Sequence, residues 1–172
     1  MRPLLHYSDD YEADIGRHVF PMSKYRLTRD ELLRRGAAAP EDFVEPRPAT
    51  MGDALRVHTP KYVDKLLHGG LSPMEEALIE LPYSPGLVDA MLLGAGGTIA
   101  ACHSSLSRGV GVNVAGGFHH AYPDHGEGFC VVNDVAMAIA YALDMEDEVE
   151  KAAVVDCDVH QGNGAAFAFA AD

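Results

Sequence analysis

The chain has 172 residues, 48% hydrophobic and 23% charged, a globular composition that excludes disordered and collagen-like chains. Its 13 basic and 26 acidic side chains give a formal net charge of −13, the wrong sign for a direct nucleic-acid binder. Three cysteines (Cys102, Cys130 and Cys157) without a CxxC pair exclude a disulfide framework and a zinc-finger spacing.

The first residues, MRPLLHYSDD, turn polar after Leu4 and Leu5, unlike a secretory leader. No apolar run reaches the ~20 residues of a membrane helix. A cytoplasmic protein with no membrane partner is therefore expected. Leu4 to Tyr7 predicts a short strand. Lys24 to Arg35 predicts a helix ended by Gly36, with a capping box at Thr28 and Glu31. Thr59-Pro60, Ser72-Pro73 and Ser84-Pro85 each read as an N-cap with Pro at the first helical position. The first opens a helix ending near Gly69-Gly70, and the third a long apolar helix reaching Ser107. Gly94, Gly96 and Gly97 inside it each cost ~1 kcal/mol against Ala, so they predict close packing against a sheet.

Val110 to Val114 predicts a buried strand, Asn133 to Met145 a helix, Ala152 to Cys157 a second buried strand, and Gly162 to Ala170 the start of another helix. Alternating strands and helices predict an α/β fold on a parallel sheet. Ligands then bind beyond the carboxyl ends of the strands, which puts the loops 115–132 and 156–164 on one rim. Charge is uneven: residues 1–70 carry eleven basic and eleven acidic side chains, residues 71–172 two basic and fifteen acidic. The run Asp144, Glu146, Asp147, Glu148, Glu150 reads as a solvated face. The acidic half as a whole suits a cationic partner.

Two loops carry chemistry. In Asp156-Cys157-Asp158-Val159-His160, an extended chain would point residues 156, 158 and 160 the same way. Two carboxylates so close repel unless a cation or proton lies between them, and O and N donors suit Zn2+ or another first-row divalent ion such as Fe2+. In Gly116-Gly117-Phe118-His119-His120-Ala121, two loop imidazoles suit proton transfer near neutral pH. Either motif alone also fits structural residues.

Taken together, GGFHHA, GEGFCVVND and VVDCDVHQGNG, in this order, resemble the zinc-dependent histone deacetylase family, including its acetoin-utilisation and acetylpolyamine amidohydrolase relatives. HVFPMSKYRL, VHTPKYVDKLL and LPYSPGLVDAMLLGAGGTIAA are similar to the family's entry region, FPMSKYRL being nearest the class IV and bacterial branches. The resemblance implies an arginase/deacetylase-like three-layer α/β fold with a mainly parallel sheet. It implies hydrolysis of an acyl-amide, of acetyl-lysine or acetylpolyamine type, by a metal-activated water. Asp158 and His160 match two of three metal ligands. His120 matches the general base and acid, His119 its electrostatic neighbour, Asp156 the carboxylate behind His119, and Asn163 the partner of His120. Gly128 and Phe129 match the substrate tunnel. Asp156, Asp158 and His160 match a structural K+ site.

The family's third metal ligand, an Asp, and its transition-state Tyr have no counterpart here, and Asp172 lies too near His160 to serve. Residues 1–172 are thus expected to form the N-terminal portion of a single catalytic domain, incomplete in this chain. Alone it would bind zinc weakly, be inactive, and self-associate through uncovered sheet surfaces. Two other readings stand beside this one. A non-catalytic remnant or binding module would keep the loops without the chemistry. A binuclear ureohydrolase would need Asp-x-His-x-Asp, where this chain has Asp-x-Asp-x-His and Gly162.

Overall fold

The computed structural model describes residues 2–170. Among them three short strands form one parallel sheet in the order β2-β1-β3, with β1 Leu4–His6 between β2 Phe43–Val44 and β3 Gly111–Asn113. Leu5 stands opposite Phe43 on one side and Val112 on the other. The sheet is parallel, as the alternating pattern predicts. β2 is too short to announce itself in the sequence.

Among the described residues seven α-helices accompany it: α1 Lys24–Arg34, α2 Met51–Ala54, α3 Pro60–His68, α4 Pro73–Ile79, α5 Pro85–Arg108, α6 Asp134–Met145 and α7 Asn163–Ala168. The three predicted Ser/Thr-Pro starts are caps. Thr59, Ser72 and Ser84 accept hydrogen bonds from the backbone N–H of Tyr62, Glu75 and Leu87, satisfying donors that a helix start leaves orphaned. Gly69 and Gly109, both left-handed, end α3 and α5. The capping box expected at Thr28 and Glu31 is absent. Those residues lie inside α1, where the Thr28 hydroxyl donates to the Lys24 carbonyl and Glu31 pairs with Arg34 and Arg35.

α5 is the spine. It packs on β1, β3 and α6. Among the described residues it is long and apolar enough to cross a membrane by length and composition, with mean hydropathy 1.4 over its most apolar window, a reach the sequence reading does not expect of any segment. More than half of that window (56%) is buried inside the fold. Its glycines mark close approaches, though only partly to the sheet. A Cβ on Gly96 would run into the backbone of Arg47 and Ala49, and one on Gly97 into Tyr11 and Asn113. The main core gathers Tyr62, Leu66, Leu87, Met91, Phe118, Val131 and Met137, and a second cluster of Tyr7, Tyr11, Met22, Tyr25 and Leu93 covers the start of the chain.

The second predicted strand is corrected by the structure. Residues 151–157 form no strand, and 151–161 are exposed, Val155 at 87%. Nothing among the described residues covers either face of Ala153-Val154-Val155 or pairs with its backbone, so an apolar run does not become a buried strand. Val110 is likewise exposed, and β3 is only half-buried.

Candidate active site

The loop carrying His119 and His120 leaves β3 and is fastened from behind. Gly116 and Gly117 adopt φ of 88° and 77°, a region that disfavours side chains. A Cβ on Gly116 would also collide with Asp134 and Thr98. Asp134 is fully buried. It accepts hydrogen bonds from the Phe118 N–H at 2.6 Å, the Gly117 N–H at 3.0 Å and the Thr98 hydroxyl. Burial pushes its carboxyl above the usual range, and these donors oppose the shift.

Asn133 caps α6 by accepting from the Ala136 N–H and reaches back with Nδ2 to the Ala121 carbonyl at 2.8 Å. Its own N–H donates to His58 Nε2 at 3.0 Å, and His58 Nδ1 donates to the Tyr122 carbonyl at 3.0 Å. Burial lowers the His58 pKa to about 4, so the ring is neutral. His58, Asn133 and Asp134 build the site without entering it. Their one local signal in the sequence is the polar pair Asn133-Asp134 directly after the apolar Val131-Val132.

The two imidazoles lie side by side, ring centroids 4.3 Å apart. His119 Nδ1 donates to Asp156 Oδ2 at 2.6 Å, and His120 Nδ1 donates to Asn163 Oδ1 at 2.5 Å. Both pairings are those the resemblance implies. Asn163 opens α7, which is held against the loop by Ala165 N–H to the His119 carbonyl.

Residues 156–160 reach the cavity by a route other than the extended chain expected. The Asp158 N–H donates to Asp156 Oδ1 at 2.9 Å, and the His160 N–H to Asp158 Oδ1 at 2.7 Å. Each aspartate thus turns back on its own backbone, and alternation of side chains fails. These donors hold both carboxyls below the usual carboxylate range: for Asp156 first the Asp158 N–H and then His119, for Asp158 first the His160 N–H and then its ring. His160 Nδ1 lies 2.8 Å from Asp158 Oδ1. One O donor and one N donor therefore meet at a point, which fits two corners of a divalent-metal site. Among the described residues no group of three His, Cys, Asp or Glu is arranged to complete one.

His119, His120, Gly128, Phe129, Asp156, Asp158 and His160 all line one cavity of about 830 Å3. Asn163 stands just behind His120. A side chain on Gly128 would press on the His120 ring, its Cβ 2.9 Å from Cδ2. Phe129, at φ 66°, lies edge-on to His18 and tilted against Phe20, each ring centroid 5.4 Å away. Lys24 also lines the cavity, its ammonium 3.8 Å from the Phe20 ring centroid, and burial lowers its pKa. Cys130 lines it too, its thiol pushed up to about 12 by burial, which makes it a poor nucleophile.

The family model described as the histone deacetylase domain matches residues 18–172. An uncharacterized protein of Picosynechococcus sp. is 40% identical over 167 residues, covering 96% of this chain and 55% of that protein. Histone deacetylase 2 of Arabidopsis thaliana is 31% identical over 168 residues, covering 92% and 43%. The crystal structure of the HDA15 HD domain superposes with a TM-score of 0.77 at 22% identity, covering 98% of this chain and 50% of that one. That likeness shows the fold, an α/β deacetylase architecture on a parallel sheet. The chain spans about half the length of the curated relatives it matches. By the extent of the family match and by these relatives, the chain belongs to the histone deacetylase family.

Proposed function

We propose that this chain supplies the proton-handling half and two metal donors of a deacetylase that hydrolyses an acyl-amide of acetyl-lysine or acetylpolyamine type. The observation that carries the reading is the pair of adjacent histidines. One is backed by a carboxylate and the other by an amide, and both face a cavity shared with Asp158 and His160. Asp158 and His160 would hold the metal, Zn2+ or Fe2+, which when bound supplies Lewis acidity and a water of lowered pKa. Asp156, Asp158 and His160 would in addition hold a structural K+.

His120 Nδ1 is committed to Asn163, so Nε2 is the nitrogen available to take a proton from water and return it to the leaving amine. Asp156 beside His119 stabilises a charged imidazole there, as a carboxylate does behind any imidazolium. Neighbouring imidazoles with different backing divide the roles. Phe129, braced by Phe20 and His18, forms an apolar wall for the methylenes of the lysine or polyamine chain. The Lys24 ammonium and the carboxylates of Asp156 and Asp158 line the same cavity with charges of both signs.

We place the third metal donor and the transition-state Tyr in the part of the relatives' length that this chain does not span. The 172-residue chain then binds zinc weakly and releases no acetate by itself. The exposed Val154, Val155 and Val159 support self-association of the chain alone. The second reading is a binding module of the same fold, which keeps the histidine and aspartate loops around the cavity without the chemistry.

The test is acetate release from acetyl-lysine peptide and from acetylpolyamine by the protein at its relatives' length. Turnover abolished by His120→Ala with metal content unchanged supports the enzyme. Turnover surviving His120→Ala overturns the role of His120. Binding of acetylated ligand with no turnover at any metal loading identifies the module.

A further inference from the structure

Asn163 has two distinguishable ends, and different neighbours read them. Its Oδ1 lies 2.5 Å from His120 Nδ1. Its Nδ2 lies 3.1 Å from Glu127 Oε1 and 3.3 Å from the Tyr122 hydroxyl. A hydroxyl both donates and accepts, so Tyr122 leaves the amide free to turn over. A carboxylate only accepts, so it must be met by the NH2 end. We propose that Glu127 orients Asn163 and, through it, locks His120 in the tautomer with the proton on Nδ1 and Nε2 bare toward the cavity.

With Asn163 reversed, its carbonyl would face the carboxylate. Its NH2 would then face His120, making Nδ1 the acceptor and placing the ring proton on Nε2, where it cannot act as a base. Glu127 is a positioning residue, and its functional weight rests on the proposed role of His120.

The backbone is arranged to hold Glu127 in place. Glu127 and Cys130 exchange backbone hydrogen bonds at 3.1 and 2.9 Å across a tight turn whose two central residues, Gly128 and Phe129, are both left-handed. The turn is pinned to α4 by Gly128 N–H to the Leu78 carbonyl and Phe129 N–H to the Ile79 carbonyl, at 3.0 and 2.8 Å. His125 Nε2 stands 3.7 Å from the other carboxylate oxygen. One four-residue turn therefore carries both the aromatic wall and the group that sets the base. The arrangement also explains why an amide and not an acid stands behind His120. An Asp at 163 would put a second carboxylate about 3 Å from Glu127, and such a pair resists double ionisation.

The experiment reads the imidazole nitrogens of His120 by 15N NMR of the whole chain at about pH 8, where a free imidazole is neutral. The expected wild-type result is a single Nδ1–H form. Glu127→Gln, nearly isosteric and able to present either oxygen or NH2, and Glu127→Ala should both give a mixture of tautomers, with α5 and α6 amide signals unmoved. Asn163→Asp should disturb the same signals, and adding Glu127→Gln should restore the single Nδ1–H form. At the relatives' length, Glu127→Gln should lower kcat roughly tenfold or more while KM holds, because a misplaced ring proton removes the base without altering substrate contacts. A His120 that stays wholly Nδ1–H in both Glu127 variants overturns the proposal, as does a wild-type His120 found with its proton on Nε2. Turnover that survives His120→Ala, with the tautomer still answering to Glu127, overturns the base assignment and leaves Glu127 as the determinant of the ring.

Discussion

Acidification should loosen the histidine loop through His58, a residue outside the cavity. Its Nε2 accepts the Asn133 N–H and its Nδ1 donates to the Tyr122 carbonyl. A second ring proton would set N–H against N–H at a site 2% exposed. Burial accordingly lowers its pKa from 6.5 to about 4. Between those values the unfolded chain binds a proton that the folded chain refuses. Stability is therefore full above pH 6.5 and falls as pH drops toward 4, by ~3 kcal/mol in total from this one group. Gln at 58 could keep one donor and one acceptor but cannot titrate. Urea unfolding followed by circular dichroism across this range should show the wild type losing ~3 kcal/mol more than His58→Gln. Parallel pH profiles for the two proteins would refute the reasoning, since they would mean that His58 charges without disturbing Asn133.

Four substitutions probe other contacts of the fold. Asp134→Ala strands the Gly117 and Phe118 N–H groups and the Thr98 hydroxyl and should cost about 4 kcal/mol in urea unfolding. Within α5, Gly96→Ala drives a methyl into the Arg47 and Ala49 backbone and should cost ~1–3 kcal/mol. Gly86→Ala, with open space around it, should stabilise by ~0.5–1 kcal/mol. A thermal melt of the pair reads both signs. Glu75, hydrogen-bonded by Lys65 and capping α4, has its pKa lowered to about 2. Its contribution is present above its ordinary 4.5 and lost as pH falls toward 2, so Glu75→Gln should flatten that acid limb of the stability curve.

Local chemistry was legible in the sequence and long-range support was not. Thr59-Pro60, Ser72-Pro73 and Ser84-Pro85 announced three helix starts because a cap is decided within four residues. The adjacency of His119 and His120 is written in the sequence, and their pairing with Asp156 and Asn163 is what the family resemblance implies. The run 152–157 misled because a buried strand and an uncovered apolar segment have the same composition. Covering is supplied by other elements, and composition does not report them. The Thr28–Glu31 capping signature misled because it lies inside a helix that already began at Lys24. His58 and Asp134 escaped because nothing near them in the chain reveals that they face residues tens of positions away.

The turns at Asp156 and Asp158 have a consequence for the order in which the site becomes ordered. The cavity wall at 116–122 is held by partners from α5, α6 and the chain before α3, and so shares the stability of the core. The opposite wall at 156–160 is shaped by bonds to its own backbone and joined to the core through the His119 ring, hydrogen-bonded to Asp156, and the His120 ring, which meets His160 edge-on. Hydrogen exchange should therefore divide the site in two, with the Phe118 and Asn133 amides protected to near the global limit and the amides of 157–161 exchanging readily. The two imidazoles of the cavity are also a fastening between these two walls.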